Sequence, residues 1–582
     1  MKPAPPARFT GLRTNVLILA AYGAITLVMT YPWILHFATH TPDWGGEGSY
    51  GLWNLWHFRH GLLHGSPFET GLLLPPYTLN LVFHAYTISR DLLALPLLSV
   101  FRLVLTSNLL TLLSFALSGL GMWLLARDLT GNARASFAAG LVYAFTPYRF
   151  AHLSGHYGLA SIEWLPFYAL YALRYFRSGG RGNLALAALF ALVTSLTEYY
   201  YGLYLIVWSG LLAVYWLTRD PEKQEVLQRT GLLAGAALLA HLPLAALMYW
   251  GISRGGWVGR PAGMEMLERL SADLAGFFTP SALHPVLGEW ARRAGQGWST
   301  SFAEHTVFLG FIPILLMLIA TFRAGRLSME GRWWLLSFWA FLLLALGPVL
   351  HWRGQELFPL PYRWLAEVPV FREARVPSRW IVMAILALAA LVAQVLAWAE
   401  LRWPKAARPA GATIALLVLF EYFPAPMHLA DRSVPAVYRA IAADHQPGSV
   451  LDMPFGANDS FTALGGWNPR AMYLQTITAR PLVGAHISRI PASVFEAYAG
   501  MPIIGRLARI EAGESYGRLQ VGADRLLRDG AVGRLDLRFI VIPAEYAAEP
   551  GADYILRVFE GCLEALPGDS AAAGYRVLRP CP

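Results

Sequence analysis

The sequence predicts a mainly α-helical, polytopic membrane protein of about 11 transmembrane helices, with a C-terminal α/β domain on the extracytoplasmic side. Three features predict it: scarce charge, recurring apolar runs, and basic residues gathered on one side of those runs. Of 582 residues, 56% are hydrophobic and only 14% charged, where soluble domains carry roughly a quarter. The formal net charge of +9 comes almost wholly from arginine, Lys2, Lys223 and Lys405 being the only lysines. In a soluble protein that excess would suggest nucleic-acid binding. Here the arginines flank apolar segments, the pattern of a topology signal.

The first element follows Lys2, Arg8 and Arg13 and runs apolar to Leu35. No small-residue cleavage site follows it before Asp43, so it reads as a retained span. Further spans are expected near 105–126, 134–151, 157–176, 183–199, 201–218, 230–250, 304–322, 332–350, 379–399 and 411–426, each long enough to cross a hydrocarbon core of about 30 Å. Segment 86–103 is apolar but interrupted by Arg90, Asp91 and Arg102, and is expected to lie on the membrane surface. With residue 1 in the cytoplasm and 86–103 not crossing, short basic loops such as Arg174–Arg181 and Arg323–Arg332 all fall on the cytoplasmic side.

Three long segments then lie outside: 36–104, 251–303 and 351–378. The bundle is expected to occupy 1–429. Beyond it, 430–582 changes character, with strands at Val450–Met453 and Arg538–Ile542 and helices near 434–443 and 505–530. Cys562 and Cys581 lie in this region, and their spacing leaves a disulfide and two free thiols both open.

The first external loop carries the clearest chemistry. Asp43 and Glu47 flank a glycine-rich turn, followed by Trp53-Asn54-Leu55-Trp56-His57-Phe58, which reads as an interfacial amphipathic helix. A carboxylate there can take a proton from a hydroxyl as general base. The bland alternative is a solvated acidic turn beside an aromatic anchor.

One span, a long acidic external loop, a surface helix, and a span ending in Leu124-Leu125-Ala126-Arg127-Asp128-Leu129-Thr130-Gly131 follow in order. This arrangement resembles the GT-C superfamily of polyprenyl-phosphosugar-dependent glycosyltransferases. More closely, Thr146-Pro147-Tyr148-Arg149-Phe150-Ala151-His152, Gly155-His156, Trp164-Leu165-Pro166, Ser271-Ala272-Asp273-Leu274, Arg375-Val376-Pro377-Ser378-Arg379 and Tyr473-Leu474-Gln475-Thr476 are similar to stretches of bacterial YfhO-like multispan proteins. The resemblance implies a GT-C-like bundle in the bacterial inner membrane, a polyprenyl-phosphate sugar donor, and a glycan, lipid or protein acceptor. It implies an acidic base in the first loop, usually aspartate; Glu47 is the first choice here and Asp43 the second.

For the donor phosphate, Arg372, Arg375 and Arg379 offer planar guanidinium forks, though interfacial arginines also bind lipid headgroups or snorkel. His152, His156 and Glu163 in one external turn, with Glu198, Asp273 and Glu304, are expected to line the substrate cavity. Histidine with carboxylate suits a divalent metal, but the set is incomplete and no metal ligands are assigned. There is no Walker A motif and no evident internal repeat of spans, which argues against ATP-driven transport and common secondary transporters. The competing class is a non-enzymatic lipid or glycan transporter, or an envelope assembly scaffold.

Overall fold

A computed structural model describes residues 11–43, 48–256, 263–298, 301–459 and 461–581. Five helices are long and apolar enough to cross a membrane: Leu12–Met29, Leu103–Thr130, Tyr199–Arg219, Lys223–Ser253 and Pro377–Arg402. Together with shorter apolar helices such as Arg181–Thr197 and Phe311–Phe322, they describe a membrane protein. The other expected spans coincide with helices that are shorter or less apolar, among them Ala133–Ala144, Trp164–Ser178, Met329–Ala345 and Pro404–Glu421.

The helix pair that seeds the bundle is readable from its residues. Leu103–Thr130 stops at Gly131, whose φ of +67° suits a residue without Cβ. Asn132 then caps Ala133–Ala144, accepting from the backbone N–H groups of Arg134 and Ala135. Gly119 and Gly140 face the ring of Tyr22, and a Cβ at either would overlap it. Tyr22 thus inserts between the two helices and donates to the Phe137 carbonyl at 2.9 Å.

Three expected spans are interrupted, 157–176 among them, where Tyr157–Ala160 ends before Trp164–Ser178 begins. Segment 134–151 breaks before Pro147, which begins a separate helix, Pro147–His152, because proline cannot donate to the preceding turn and is favoured in the first turn of a helix. Segment 304–322 splits into Phe302–His305 and Phe311–Phe322 around Gly310, whose φ is +89°.

Segment 86–103 forms helix Ile88–Leu97. Ten residues rise about 15 Å, half a hydrocarbon core. It turns Leu92 and Leu93 outward and buries Ile88, Arg90, Asp91 and Ala94. The aromatic helix of the first loop spans Gly48–His64 and departs from the expected headgroup anchor. Trp53 is fully buried, and its Nε1 donates to Gln475 Oε1 at 2.7 Å. Its apolar side faces the C-terminal region.

That region holds a four-stranded mixed sheet. Ser449–Asp452 runs parallel to Leu537–Pro543, which pairs antiparallel with Ala572–Val577, itself antiparallel to Leu563–Ala565. The expected helix 505–530 is two helices, Ile504–Glu511 and Arg518–Leu535. Cys562 and Cys581 are joined as a disulfide. One core contains Trp53, Phe58, Leu73, Leu81 and Tyr86 of the first loop together with Leu451, Phe455, Ile540 and Ile555. The first loop and the C-terminal region therefore fold as one body.

Candidate functional site

A cavity of about 360 Å³ opens between that body and the bundle. Tyr50, Gly51 and Asn54 of the first-loop helix form one wall, with Thr87, Arg90 and Asp91 beside them. The turn Gly155–Leu159 and Glu198 with Tyr200 lie on the bundle side, next to Arg375 and Arg379. Asn458, Asp459 and His486–Ser488 come from the C-terminal region. The broken span explains the bundle side, because the chain between Pro147–His152 and Trp164–Ser178 turns across the bundle instead of continuing as helix. Gly51 has no room for a Cβ, which would fall on the Tyr157 ring, so this glycine lets the helix settle on Tyr157.

Local hydrogen bonds fix the first-loop wall. His84 Nδ1 accepts from the Ser488 N–H at 3.3 Å, so its Nε2 carries the proton and donates to Asn54 Oδ1 at 2.9 Å. Burial holds His84 well below the usual histidine pKa, the neighbouring His57 and His486 adding to it. The neutral ring ties the first loop to the C-terminal region and leaves Asn54 at the cavity edge.

The two charged neighbours of this wall behave differently. The Arg90 guanidinium is anchored on the next helix, donating to the Ser107 carbonyl at 2.6 Å, to Ser107 Oγ at 2.9 Å and to Thr111 Oγ1 at 3.0 Å. It also lies 4.6 Å over the Tyr157 ring. Asp91 is only 2% exposed, and its Oδ2 has no hydrogen-bond partner. Burial pushes this carboxyl up to about 8 against the pull of Arg90.

Across the cavity, Arg379 is paired with Glu304, its Nε and Nη2 donating to Oε1 at 3.0 and 2.5 Å. Ser378 Oγ donates to the other Glu304 oxygen at 3.0 Å, and His152 Nε2 stands 3.7 Å behind. Arg375 packs 4.8 Å over the Phe461 ring and leaves Nη1 buried without a partner. Arg489 lies 5.1 Å over the same ring, its Nε also unpartnered. Burial lowers the Arg489 pKa, and the like charge of Arg375 adds to the lowering. Of the two, Arg375 lines this cavity, and its guanidinium is a donor suited to an anion.

The remaining sequence candidates divide between this wall and other places. Glu47 lies outside the described residues, three positions before Tyr50. Asp43 is buried and engaged, accepting from Arg432 Nη2 at 2.6 Å, Ser154 Oγ at 2.9 Å and the Gly48 N–H at 3.1 Å. It joins the first loop to the segment after the last helix of the bundle. His156 and Glu198 line the cavity, whereas His152 and Glu304 stand behind Arg379. Arg372 is tied to Glu367 and the Ala366 carbonyl and is not on the cavity wall. Glu163 accepts from Ser114 Oγ at 2.5 Å, which in turn accepts from Arg149, away from this wall. Asp273 accepts from the backbone N–H groups of Ala275, Arg353 and Gly354, a turn-building role. Among the described residues, no three His, Cys, Asp or Glu side chains gather to hold a metal ion.

Sequence reasoning passed over Asp91, Asn54, His84 and Arg489. The Arg90-Asp91 pair inside an apolar stretch was the visible signal for the first.

Residues 17–422 match the family model described as "Domain of unknown function (DUF6311)". The chain belongs to this family. The match ends before the C-terminal sheet, so the family covers the bundle and the first-loop half of the cavity. No curated protein matches the chain. Among solved structures, it is similar to the oligosaccharyltransferase of Archaeoglobus fulgidus, with a TM-score of 0.53 at 11% identity over 97% of this chain and 75% of that one. It is also similar to the arabinofuranosyltransferase AftD from Mycobacteria, with a TM-score of 0.55 at 15% identity over 98% of this chain. The chain spans 42% of the length of AftD. At these identities the likeness establishes a fold shared with these two glycosyltransferases.

Proposed function

We propose that the chain is a membrane glycosyltransferase moving a sugar from a polyprenyl-phosphate donor to a cell-envelope glycan, lipid or protein. An acidic residue of the first external loop receives the acceptor's proton. The observation that supports this reading is the cavity, lined both by a first-loop carboxylate, Asp91, and by Arg375 with its unpartnered guanidinium nitrogen. Arg375, supported by Arg489 and with Arg379 held in place by Glu304, neutralises the charge that grows on the departing phosphate. Preorganised donors of this kind act where charge develops, which is why they accelerate the step rather than only bind substrate.

The reaction belongs on the extracytoplasmic side of a bacterial inner membrane, with the N-terminus cytoplasmic. The short basic loops support that orientation, and a disulfide between Cys562 and Cys581 suits an oxidising compartment. About 11 crossings and a YfhO-like kinship belong to the same reading, supported by the apolar runs and by the motifs around Arg149 and Arg375.

Native mass spectrometry of the purified full chain tests the proposal. A co-purifying polyprenyl phosphate or its sugar adduct is the expected result, reduced by Arg375→Ala. A chain that carries a glycan lipid and moves it between leaflets without cleaving the sugar bond would make it a transporter.

A further inference from the structure

Resting on the transferase reading above, we propose that Asp91, rather than Asp43, is the carboxylate that takes the acceptor's proton in this cavity.

The other described carboxylates at or behind this wall are already engaged. Asp43 is held by Arg432, Ser154 and the Gly48 N–H. Asp459 accepts from the backbone N–H groups of Phe461 and Thr462 at 2.7 Å and of Ile490 at 3.3 Å. Glu198 caps the helix beginning at Tyr199, and Glu304 belongs to Arg379. Among the described carboxylates, Asp91 alone combines near-complete burial, a place on the cavity wall and an oxygen with no partner. An unpaired buried carboxylate oxygen costs stability. Such a cost is retained where the group meets a ligand.

Arg90 explains how this carboxylate stays usable. Its guanidinium is fixed on Ser107 and Thr111, so it supports the anion through space without hydrogen-bonding to Oδ2. The raised pKa, driven by burial, brings the group close to working pH, where a general base combines availability with proton affinity. The titratable and charged groups around it are Arg90 on its own helix with Glu163 near that guanidinium, Tyr86 just before it, Tyr50 on the first-loop helix, His156, Tyr157, Glu198 and Tyr200 from the bundle, Asp459 and His486 from the C-terminal region, and Arg375 with Arg379.

The step balances. The acceptor's O–H proton passes to Asp91 Oδ2, and the electron pair of that bond forms the new bond to the sugar's anomeric carbon. The bond from that carbon to the phosphate oxygen breaks, and its pair leaves with the phosphate beside Arg375. Water in place of the acceptor gives hydrolysis by the same path.

The test uses the full chain in lipid nanodiscs with a panel of farnesyl-phosphate hexoses and pentoses, reading bound probe by native mass spectrometry and released farnesyl phosphate by rate. The wild-type rate rises with pH through about 8 and then levels, as required of a base that must be ionised. Asp91→Asn keeps probe binding within about threefold, releases farnesyl phosphate about 100-fold more slowly, and loses the rising limb. Asp91→Glu restores part of the rate with a displaced limb, and Glu47→Gln keeps the limb. An Asp91→Asn rate within about threefold of wild type, or an unchanged limb, overturns the assignment. Loss of the limb in Glu47→Gln also overturns it. If Asp91→Asn does not fold, an undisplaced limb in Asp91→Glu overturns it. If the wild type neither binds nor cleaves any probe, the transferase reading falls, and the role of Asp91 with it.

Discussion

Two clusters of arginine and carboxylate stand at opposite ends of the bundle, and they differ in one respect. At the end remote from the cavity, the buried Asp128 accepts from Arg174 Nε at 2.7 Å and from Arg177 Nη1 at 2.5 Å. Arg177 also pairs with Glu330, while Glu400 holds Asn132 and Arg134. These pairs join helix ends that are far apart in sequence. At the cavity end, Arg375 has an aromatic ring and a bare nitrogen, and Asp91 has a bare oxygen. Charges that close on one another hold helices together. Charges kept apart by a cavity leave their unmet bonds to a ligand.

The largest effect is expected from breaking the closed cluster. Asp128→Ala leaves two partly buried guanidiniums without their shared partner and should cost about 3–5 kcal/mol of stability. Thermal unfolding in detergent would register it, while polyprenyl-phosphate affinity should stay within about twofold. A variant with unchanged melting would remove the structural half of the contrast.

A third kind of carboxylate sharpens the comparison. Glu511 in the C-terminal region is held by the Phe455 and Gly466 backbone N–H groups and by Tyr546, with no cation among these partners. Burial pushes it up to about 7. Its folded pKa thus exceeds its unfolded value, so the folded state binds the extra proton between about 4.5 and 7. Stability should be greatest below about 4.5, fall by up to about 3 kcal/mol as pH rises to 7, and level above it. Glu511→Gln should flatten that slope in melts taken across the range. A slope unchanged by the substitution would mean that hydrogen bonding, not burial, sets this group.

Arg375→Ala tests the open cluster. It removes a charge-assisted contact worth about 1.5–3 kcal/mol, so polyprenyl-phosphate affinity should fall roughly 10- to 100-fold. Melting should be unchanged or slightly raised, since an unsatisfied buried group is lost with it. A large stability loss with intact binding would make Arg375 structural.

Much of the bundle was legible because its signals are local. Apolar runs, the Gly131 stop and the Asn132 cap each act within a few residues, and each expected span overlaps one or more helices. The breaks at Pro147 and Gly310 were written in the chain as well, but hydropathy averages over them. The site was less legible. Asp43 is the second candidate base after Glu47 by its place in the acidic first loop, and only the return of the chain 389 positions later brings Arg432 onto it. Trp53 looked like a lipid anchor for the same reason, its partner Gln475 being 422 positions away. Sequence marks which residues bear charge, whereas pairing depends on contacts between distant segments.

The smallest expected effect comes from the arginine that sequence could not separate from its neighbours. Arg372, Arg375 and Arg379 share a type and a spacing of a few residues, yet each meets a different fate. Arg372 is turned toward Glu367 at 3.0 Å in a solvent-exposed pair, and pairs of that kind are worth about 1 kcal/mol or less. Arg372→Ala should therefore leave both melting and polyprenyl-phosphate affinity nearly unchanged, measured beside Arg375→Ala in the same assays. An affinity loss matching that of Arg375→Ala would mean that the donor phosphate reaches beyond the cavity wall, and that an exposed, satisfied ion pair reopens to meet it.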